Sequence, residues 1–594
     1  MKRILPIIAA AALVIALPFM FRDRRPAAES WSPNDPVLVV VSPHMAAIRE
    51  EFARAFSEWH RQHYGQPVRI DWRAIGGTTE IMRYLAAEYA TAFRGYWRRQ
   101  DRAWPAAGPE WLLDRRFDPT APAPEIAADR ARLQEWQLRR DLWLAFRELD
   151  DPQAFSSRID VFFGGGTYDH QVAADQGLTV PVWNADNMPP GVFTNAAGIE
   201  QIPLDRGGEV WRSSHFSSAA LSAFGICHNP DRLHDLGIEN PPTRWDDLAD
   251  PRYFGQIGVT DPTKSGSIAK AFELIVHAAC HQAVAAAGYS ADDIAEYEAA
   301  IAAARLPPGE MPASVPAAYQ QAIEDGWCNG LRLLQRIGAN ARYFTDAAGR
   351  VAVDVSSGDA AVGISIDFYS RVQAEIARGP AGEERLRYVT PVGGSSVSGD
   401  PISLLRGAPN RELAMRFVEF VLGSEGQKLW NYRPGTPGGP KRHALRRLPV
   451  RREFYAAADP AAAALAAEHA RHTSDDLRDP SVDAYHLSGA FNYVPRWTAP
   501  QFGFFRLLLR SMCMDAGGEL RAAWQTIIAA GGPEACPGAM ALLERLPDQP
   551  EPLTWRNAAA LVRGDQLDVT RAWTIFFRQS YNEARRAVPG SQQE

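Results

Sequence analysis

Three short segments hold residue types suited to binding a small molecule: Ser42-Pro43-His44, Gly76-Gly77-Thr78-Thr79 and Asp261-Pro262-Thr263-Lys264-Ser265-Gly266-Ser267. Each precedes a helical pattern. Free N–H groups at a helix start, with hydroxyls beside them, hold an anion such as a carboxylate, phosphate or phosphonate. Lys264 adds a cation to the third segment. Gly164-Gly165-Gly166-Thr167 closes another apolar stretch, and glycine there permits close backbone approach. Singly, each segment also reads as an ordinary helix cap or turn. The signal lies in their order along the chain. The candidate ligand contacts are Ser42, His44, Gly77, Thr78, Thr79, Gly166, Thr167, Lys264, Ser265, Gly266 and Ser267.

The elements that must position these residues alternate strand and helix. Val37–Val41 is a β-branched run suited to a strand covered on both faces. Ile48, Phe52, Phe56 and Trp59 recur at helical spacing, and Val68–Trp72 alternates like a strand. Ile81, Leu85 and Tyr89 open a second helix. This β–α–β–α order predicts a parallel sheet, whose ligands settle at the carboxyl ends of its strands. Ile159–Phe163 resumes the sheet after a Trp- and Arg-rich stretch at about 92–150, which reads as an inserted helical pair. Val351–Val355 and Ala360–Ile366 are expected to be strands around the turn Ser357-Gly358-Asp359. Glu412–Lys428 reads as a strong helix, and beyond about 445 helices broken by Pro and aromatics follow.

The chain has 594 residues, too many for one ordinary core, with 46% hydrophobic residues and 22% charged. Net charge is −7; the first 25 residues contribute +4, leaving −11 on the rest. An acidic body without a basic stripe argues against nucleic-acid binding, which needs clustered Lys and Arg. Met1–Arg3 followed by the apolar run 4–21 and Arg22–Arg25 reads as an export segment, either cleaved near Ala28-Glu29-Ser30 or retained as an anchor. The run just reaches the ~17–25 residues an anchor needs, which favours retention. Five cysteines in an exported chain leave two readings: disulfides Cys280–Cys328 and Cys513–Cys536 with Cys227 free, or five reduced thiols. No cysteine or histidine cluster has zinc spacing. No cofactor is expected.

A family resemblance rests on an ordered set of motifs. Ser217–Asn229 is similar to the hinge strand of periplasmic solute-binding proteins of ABC transporters. Trp245-Asp246-Asp247-Leu248, Asp261-Pro262-Thr263, Ser357–Gly363, Gly399-Asp400-Pro401-Ile402-Ser403-Leu404-Leu405 and Phe417–Leu422 then follow in that family's order. The likeness covers about 36–440 and is strongest to the branch that binds ferric iron, phosphonates, sugar phosphates and polyamines. It implies an α/β, two-lobed type II periplasmic-binding fold with a mainly helical C-terminal extension. The implied units are an export segment at 1–25, lobe 1 at 36–220 and 391–445 with the insertion at 92–150, lobe 2 at 221–390, and the extension at 446–594. Crossings are implied at about Leu221–His228 and Arg387–Gly393. The implied function is capture of one small, anionic ligand by a monomer that closes on it and delivers it to a membrane permease.

Iron-binding members resemble one another in a Tyr-Tyr pair after the strand corresponding to Ala360–Ile366. Here that place reads Asp367-Phe368-Tyr369. Asp367 and Tyr369 thus join the candidate contacts, and with His44 they make a hard oxygen and nitrogen set for a ferric ion, the alternative cargo. A membrane-anchored ligand sensor is a second alternative. An exported hydrolase is a third, but the chain has no Gly-x-Ser-x-Gly at a strand–helix elbow and no His-Glu-x-x-His.

Overall fold

The computed structural model describes residues 35–306, 310–380, 382–549, 551–561 and 566–589. The apolar run 4–21 lies outside the described residues. Among those described, no helix is long and apolar enough to cross a membrane.

The first sheet is built on β1 (Val37–Val41), which pairs in parallel with β2 (Arg69–Arg73) and with β3 (Val161–Phe163). Its two covered faces explain its composition. Leu38 and Val40 pack with Phe52, Phe56 and Phe417 on one face. Val41 and Phe162 pack with Ile81, Leu85 and Phe93 on the other. The Trp-rich insertion belongs to that second face. Leu112, Leu142 and Phe146, from its helices Gly108–Leu113 and Arg130–Glu148, are buried against the helix Thr78–Arg99. Its arginines lie on aromatic rings, with the Arg147 guanidinium carbon 3.7 Å from the Trp143 ring centroid. After the short β4 (Thr179–Val180), the hairpin of β5 (Asp205–Arg206) and β6 (Glu209–Val210) leads into β7 (Ser217–His228).

β7 is twelve residues long and buried throughout. Its first half pairs with β12 (Val397–Leu405) and its second half with β10 (Val362–Ile366) and β11 (Arg387–Val389). It therefore belongs to both lobes. The chain crosses again between β11 and β12, where Ser395 Oγ accepts the Phe224 N–H at 3.1 Å. In the second lobe β10 is parallel to β8 (Ile257–Thr260), which is parallel to β9 (Ala341–Thr345). The helices Gly266–Ala286 and Ala317–Asn340 cover this sheet and meet closely at two glycines. A Cβ on Gly326 would stand 2.5 Å from Cys280 Cα, and one on Gly330 2.6 Å from Val276 Cα. The two-lobed α/β fold that the resemblance implied is thus present.

The structure departs from the sequence reading at three places. Val351–Val355 is helical, within Ala348–Ser357: Val351, Ala352 and Val355 are buried while Val353 is exposed, which is a helical period that β-branched content disguised. The tail 446–594 is not one appendage. β13 (Leu448–Pro449) pairs with β7, and Val450, Phe454, Tyr455 and Tyr485 lie in the first lobe's core. From Phe491 onward the side chains enter the second lobe's core, with Trp497, Trp524, Trp573 and Tyr581 fully buried there. A third passage between lobes therefore runs near 488–493. It is pressed so close to the β5–β6 hairpin that a Cβ on Gly208 would stand 1.9 Å from Tyr493 O. Third, Cys280, Cys328, Cys513 and Cys536 are free thiols, not two disulfides. Cys280 Sγ donates to Ile323 O and Cys513 Sγ to Leu334 O, so these two thiols are seated on a neighbouring helix rather than on another cysteine.

Candidate functional site

The parallel strands of each lobe end on the side facing the other lobe. After β1 come Ser42-Pro43-His44, after β2 Gly76–Thr79, and after β3 Gly164–Thr167. From the second lobe come Asp261 after β8, Asp346 after β9 and Asp367 after β10.

His44 is buried at the junction of these loops. Its Nε2 lies 3.1 Å from Asp400 Oδ2, and its backbone N–H donates to Ser42 Oγ. Gly164 and Gly165 have φ of +96° and +113°, the left-handed region that favours glycine. A Cβ on Gly164 would stand 2.5 Å from the His44 ring, and one on Gly165 2.7 Å from Thr78 Cγ2. Gly165 N–H donates to Asp400 Oδ1 at 2.8 Å, and Thr167 Oγ1 donates to Gly399 O at 3.3 Å. Ser42, His44, Thr78, Gly166 and Thr167 are thereby gathered at one edge.

At the centre lies Arg447, only 3% exposed. One Nη pairs with Asp400 and the other donates to Ser222 Oγ of β7 at 2.9 Å. Its guanidinium carbon sits 4.3 Å from the Phe368 ring centroid, on the second lobe, and 5.5 Å from the Trp430 ring. Burial works against the Asp400 charge, but Arg447 and His44 hold its carboxyl well below the usual range. Asp367, fully buried at the start of helix Asp367–Ile376, is pushed up to about 6 by burial, against the pull of Arg371 and Arg447. Tyr369 is half-buried beside Phe368 and Gly349.

Other expected contacts stand apart. Gly77 and Thr79 are exposed, and Glu80 folds back on Gly76 and Gly77, so that helix start already has an anion beside it. Ser265 Oγ accepts its own helix's Ile268 N–H. Gly266 and Ser267 are exposed. Lys264 Nζ donates to Asp346 Oδ1 at 2.8 Å in an exposed pair, which takes the cation expected for the ligand.

Several polar contacts join the lobes. Arg446 pairs with Glu375 at 3.0 Å and with Asp475, which Arg371 approaches at 3.6 Å. Lys270 of the second lobe lies 3.2 Å from Glu209 of the β5–β6 hairpin. Burial opposes its charge, yet Glu209 and Glu273 keep it protonated. At the rim Tyr168 faces Phe502, ring centroids 6.0 Å apart. Asp169 beneath it is pushed up to about 6 by burial, opposed by Arg506. Arg506 is fixed by donating to Pro262 O and Thr263 O.

Arg447, Ser222, Arg371 and Asp400 were not singled out as site residues from the sequence. Asp400 stands in a quoted motif. Arg446-Arg447 gave one usable signal: adjacent cations leading straight into the apolar Leu448-Pro449-Val450 must be buried with partners.

Two α/β lobes sharing a long strand, with loops facing each other across it, define the type II periplasmic-binding fold. Residues 190–455 match the family described as bacterial extracellular solute-binding protein. A relative from Haemophilus influenzae, named only as an uncharacterised protein, is 25% identical over 283 residues. That alignment covers 48% of this chain, and the chain spans 62% of the relative's length. Among solved structures, the periplasmic binding protein AfuA of Actinobacillus pleuropneumoniae, with fructose-6-phosphate bound, aligns at TM-score 0.38 and 18% identity, over 66% of this chain and 81% of that one. The spermidine/putrescine substrate-binding protein PotD of Streptococcus pneumoniae aligns at TM-score 0.42 and 11% identity, over 80% and 99%. The apo ferric ion-binding protein A of Pasteurella haemolytica aligns at TM-score 0.38 and 11% identity, over 76% and 95%.

Proposed function

We propose that this chain is the extracytoplasmic solute-binding component of an ABC-type importer. It captures one small, anionic molecule between its lobes, closes over it and presents it to the membrane permease. The observation that carries this reading is that Arg447 meets His44 from the loop after β1 and Phe368 from the helix start after β10, beside a strand that both lobes share. Closure on β7 and the second crossing requires that the ligand favour the closed arrangement over the open one. The family match at 190–455 supports the same reading. The apolar run 4–21 would keep the protein at the outer face of the membrane.

A ferric cargo held by His44, Asp367 and Tyr369 is the weaker reading. Arg447 stands among all three: 3.5 Å from His44 Nε2, over Phe368, and close enough to bias the ionisation of both Asp367 and Tyr369. A fixed guanidinium repels a trivalent cation. Binding is favoured over hydrolysis because the hydrogen-bonded Ser403–His170 pair, Oγ to Nδ1 2.6 Å, is fully buried. Burial also pushes His170 down to about 4, which leaves a poor base.

Native mass spectrometry of protein purified from its own periplasm, paired with small-angle scattering, tests the proposal. One bound small molecule per chain, and a smaller radius of gyration with it than without it, are expected. A protein that carries none, and stays the same size across a metabolite library, removes the transport reading.

A further inference from the structure

The hydrogen-bonding potential left over in the cleft floor says what chemistry would complete it. Buried donors there lack hydrogen-bond acceptors: Arg447 Nε, Trp430 Nε1 and Arg371 Nε, while Arg371 Nη1 has only the ion pair with Asp475 at 3.6 Å. Their residues are 3%, 0% and 7% exposed, so solvent does not readily serve them. Against these donors stands Asp367 Oδ2, which has no close hydrogen-bond donor, although the Ala223 backbone N–H bears on the same carboxylate. His44 Nδ1 is also unpartnered and accepts when the ring is neutral. The surplus is of N–H donors, those of Arg447 and Arg371 charged and that of Trp430 neutral, which an oxyanion satisfies and a cation does not.

The helix starts first expected to read the ligand's charge are served by their own chain. Glu80 lies at the start of Thr78–Arg99. Asp169 lies in the first turn of Thr167–Asp175. Ser265 caps Gly266–Ala286. Arg447 is instead held rigid by Asp400, Ser222 and the Phe368 face, and Asp400 is itself fixed by Gly165 N–H and His44. A cation so pre-oriented binds without losing further side-chain freedom.

We propose that Arg447, together with Arg371, is the ligand's charge-reading residue, and that the ligand is a small oxyanion bearing a hydroxyl or amine that donates to Asp367. This rests on the solute-binding reading and narrows it to a chemical class. Arg447 comes from the stretch after 445, and Arg371 from the first turns of a second-lobe helix, so the charge is read at the hinge rather than at the strand-end helices.

Isothermal titration of the full chain tests this with glycerol 3-phosphate, L-malate and inorganic phosphate as probes. Glycerol 3-phosphate or L-malate is expected to bind one per chain and more tightly than inorganic phosphate. Removing Arg447 alone strands Asp400, so the paired change Arg447→Gln with Asp400→Asn is used, with Arg447→Lys beside it. Circular dichroism confirms that each variant folds. The paired variant is expected to bind at least tenfold more weakly, and the lysine variant, which keeps the charge but loses the fork, to fall between. Asp367→Ala is expected to narrow the preference over inorganic phosphate. Failure of all three probes to bind, or wild-type affinity in the folded paired variant, overturns the proposal. If a neutral or cationic solute copurifies and compacts the protein, this proposal fails while solute binding stands. If no solute and no compaction are found, both fail.

Discussion

Asp367 is a carboxylate that the fold would rather keep protonated. Burial raises it to about 6, above the ~3.9 of an unfolded aspartate. Between those values the folded chain binds more protons than the unfolded one, so this group's contribution to stability falls as pH rises from about 4 to about 6. Asp367→Asn is therefore expected to be more stable than wild type at pH 7.5, by about 3 kcal/mol, with a flatter pH profile from 4 to 6. Urea melts across pH check it, and an unchanged profile would mean the carboxylate is not desolvated. Asp400 has the opposite sign. Its carboxyl is held low by Arg447 and His44, so its contribution is present above the unfolded value and is lost as pH falls below it. At this scale the sequence showed the residue types but not the pairings. His44 and Asp400 are 356 positions apart and Arg447 is further still, and no local periodicity reports a contact at that separation.

Among the elements, the loop after β3 depends most on glycine. Gly164→Ala would place a methyl 2.5 Å from the His44 ring at a φ of +96°. A loss of about 1–3 kcal/mol is expected from the strained backbone and the displaced imidazole, together with weaker ligand binding; denaturant titration and calorimetry read the two effects separately. The Trp-rich insertion makes a different kind of contribution. Phe146 is fully buried among Tyr89, Phe93 and Phe155, so Phe146→Ala is expected to cost about 3–5 kcal/mol. A cost below 1 kcal/mol, measured by urea unfolding, would show that the insertion packs loosely on its lobe. The helices of that insertion, the strand Val37–Val41 and the helix after it were legible from composition and period. Val351–Val355 was not, because β-branched residues do not distinguish a short buried strand from one turn of an amphipathic helix.

For the whole molecule, the tail is shared between the lobes rather than added to them. Trp497, Trp524, Trp573 and Tyr581 lie in the same core as Ile257, Phe272 and Trp327. Truncation after Ala490 would expose that core, so the shortened chain is expected to keep a folded first lobe and lose the second lobe's cooperative transition in calorimetry. Two full transitions in the shortened chain would mean the tail is dispensable. Three chain passages, the Lys270–Glu209 pair and the Arg446–Asp475–Arg371 group connect the lobes. Buried ion pairs of this kind fix geometry more than they add net stability, and they set which lobe arrangements the hinge can sample.

By itself the sequence determined the repeating β–α order, the strand-end loops with their hydroxyls and glycines, and the acidic balance of the body. Those are local or additive properties, written in spacing and composition. Only the tertiary structure decided that Lys264 serves Asp346, that Cys280 and Cys513 seat on a helix face, that the tail completes both cores, and that Arg447 occupies the cleft floor. Each of those depends on which distant segments meet, and that is set by the packing of two whole lobes across β7 rather than by any window of the chain.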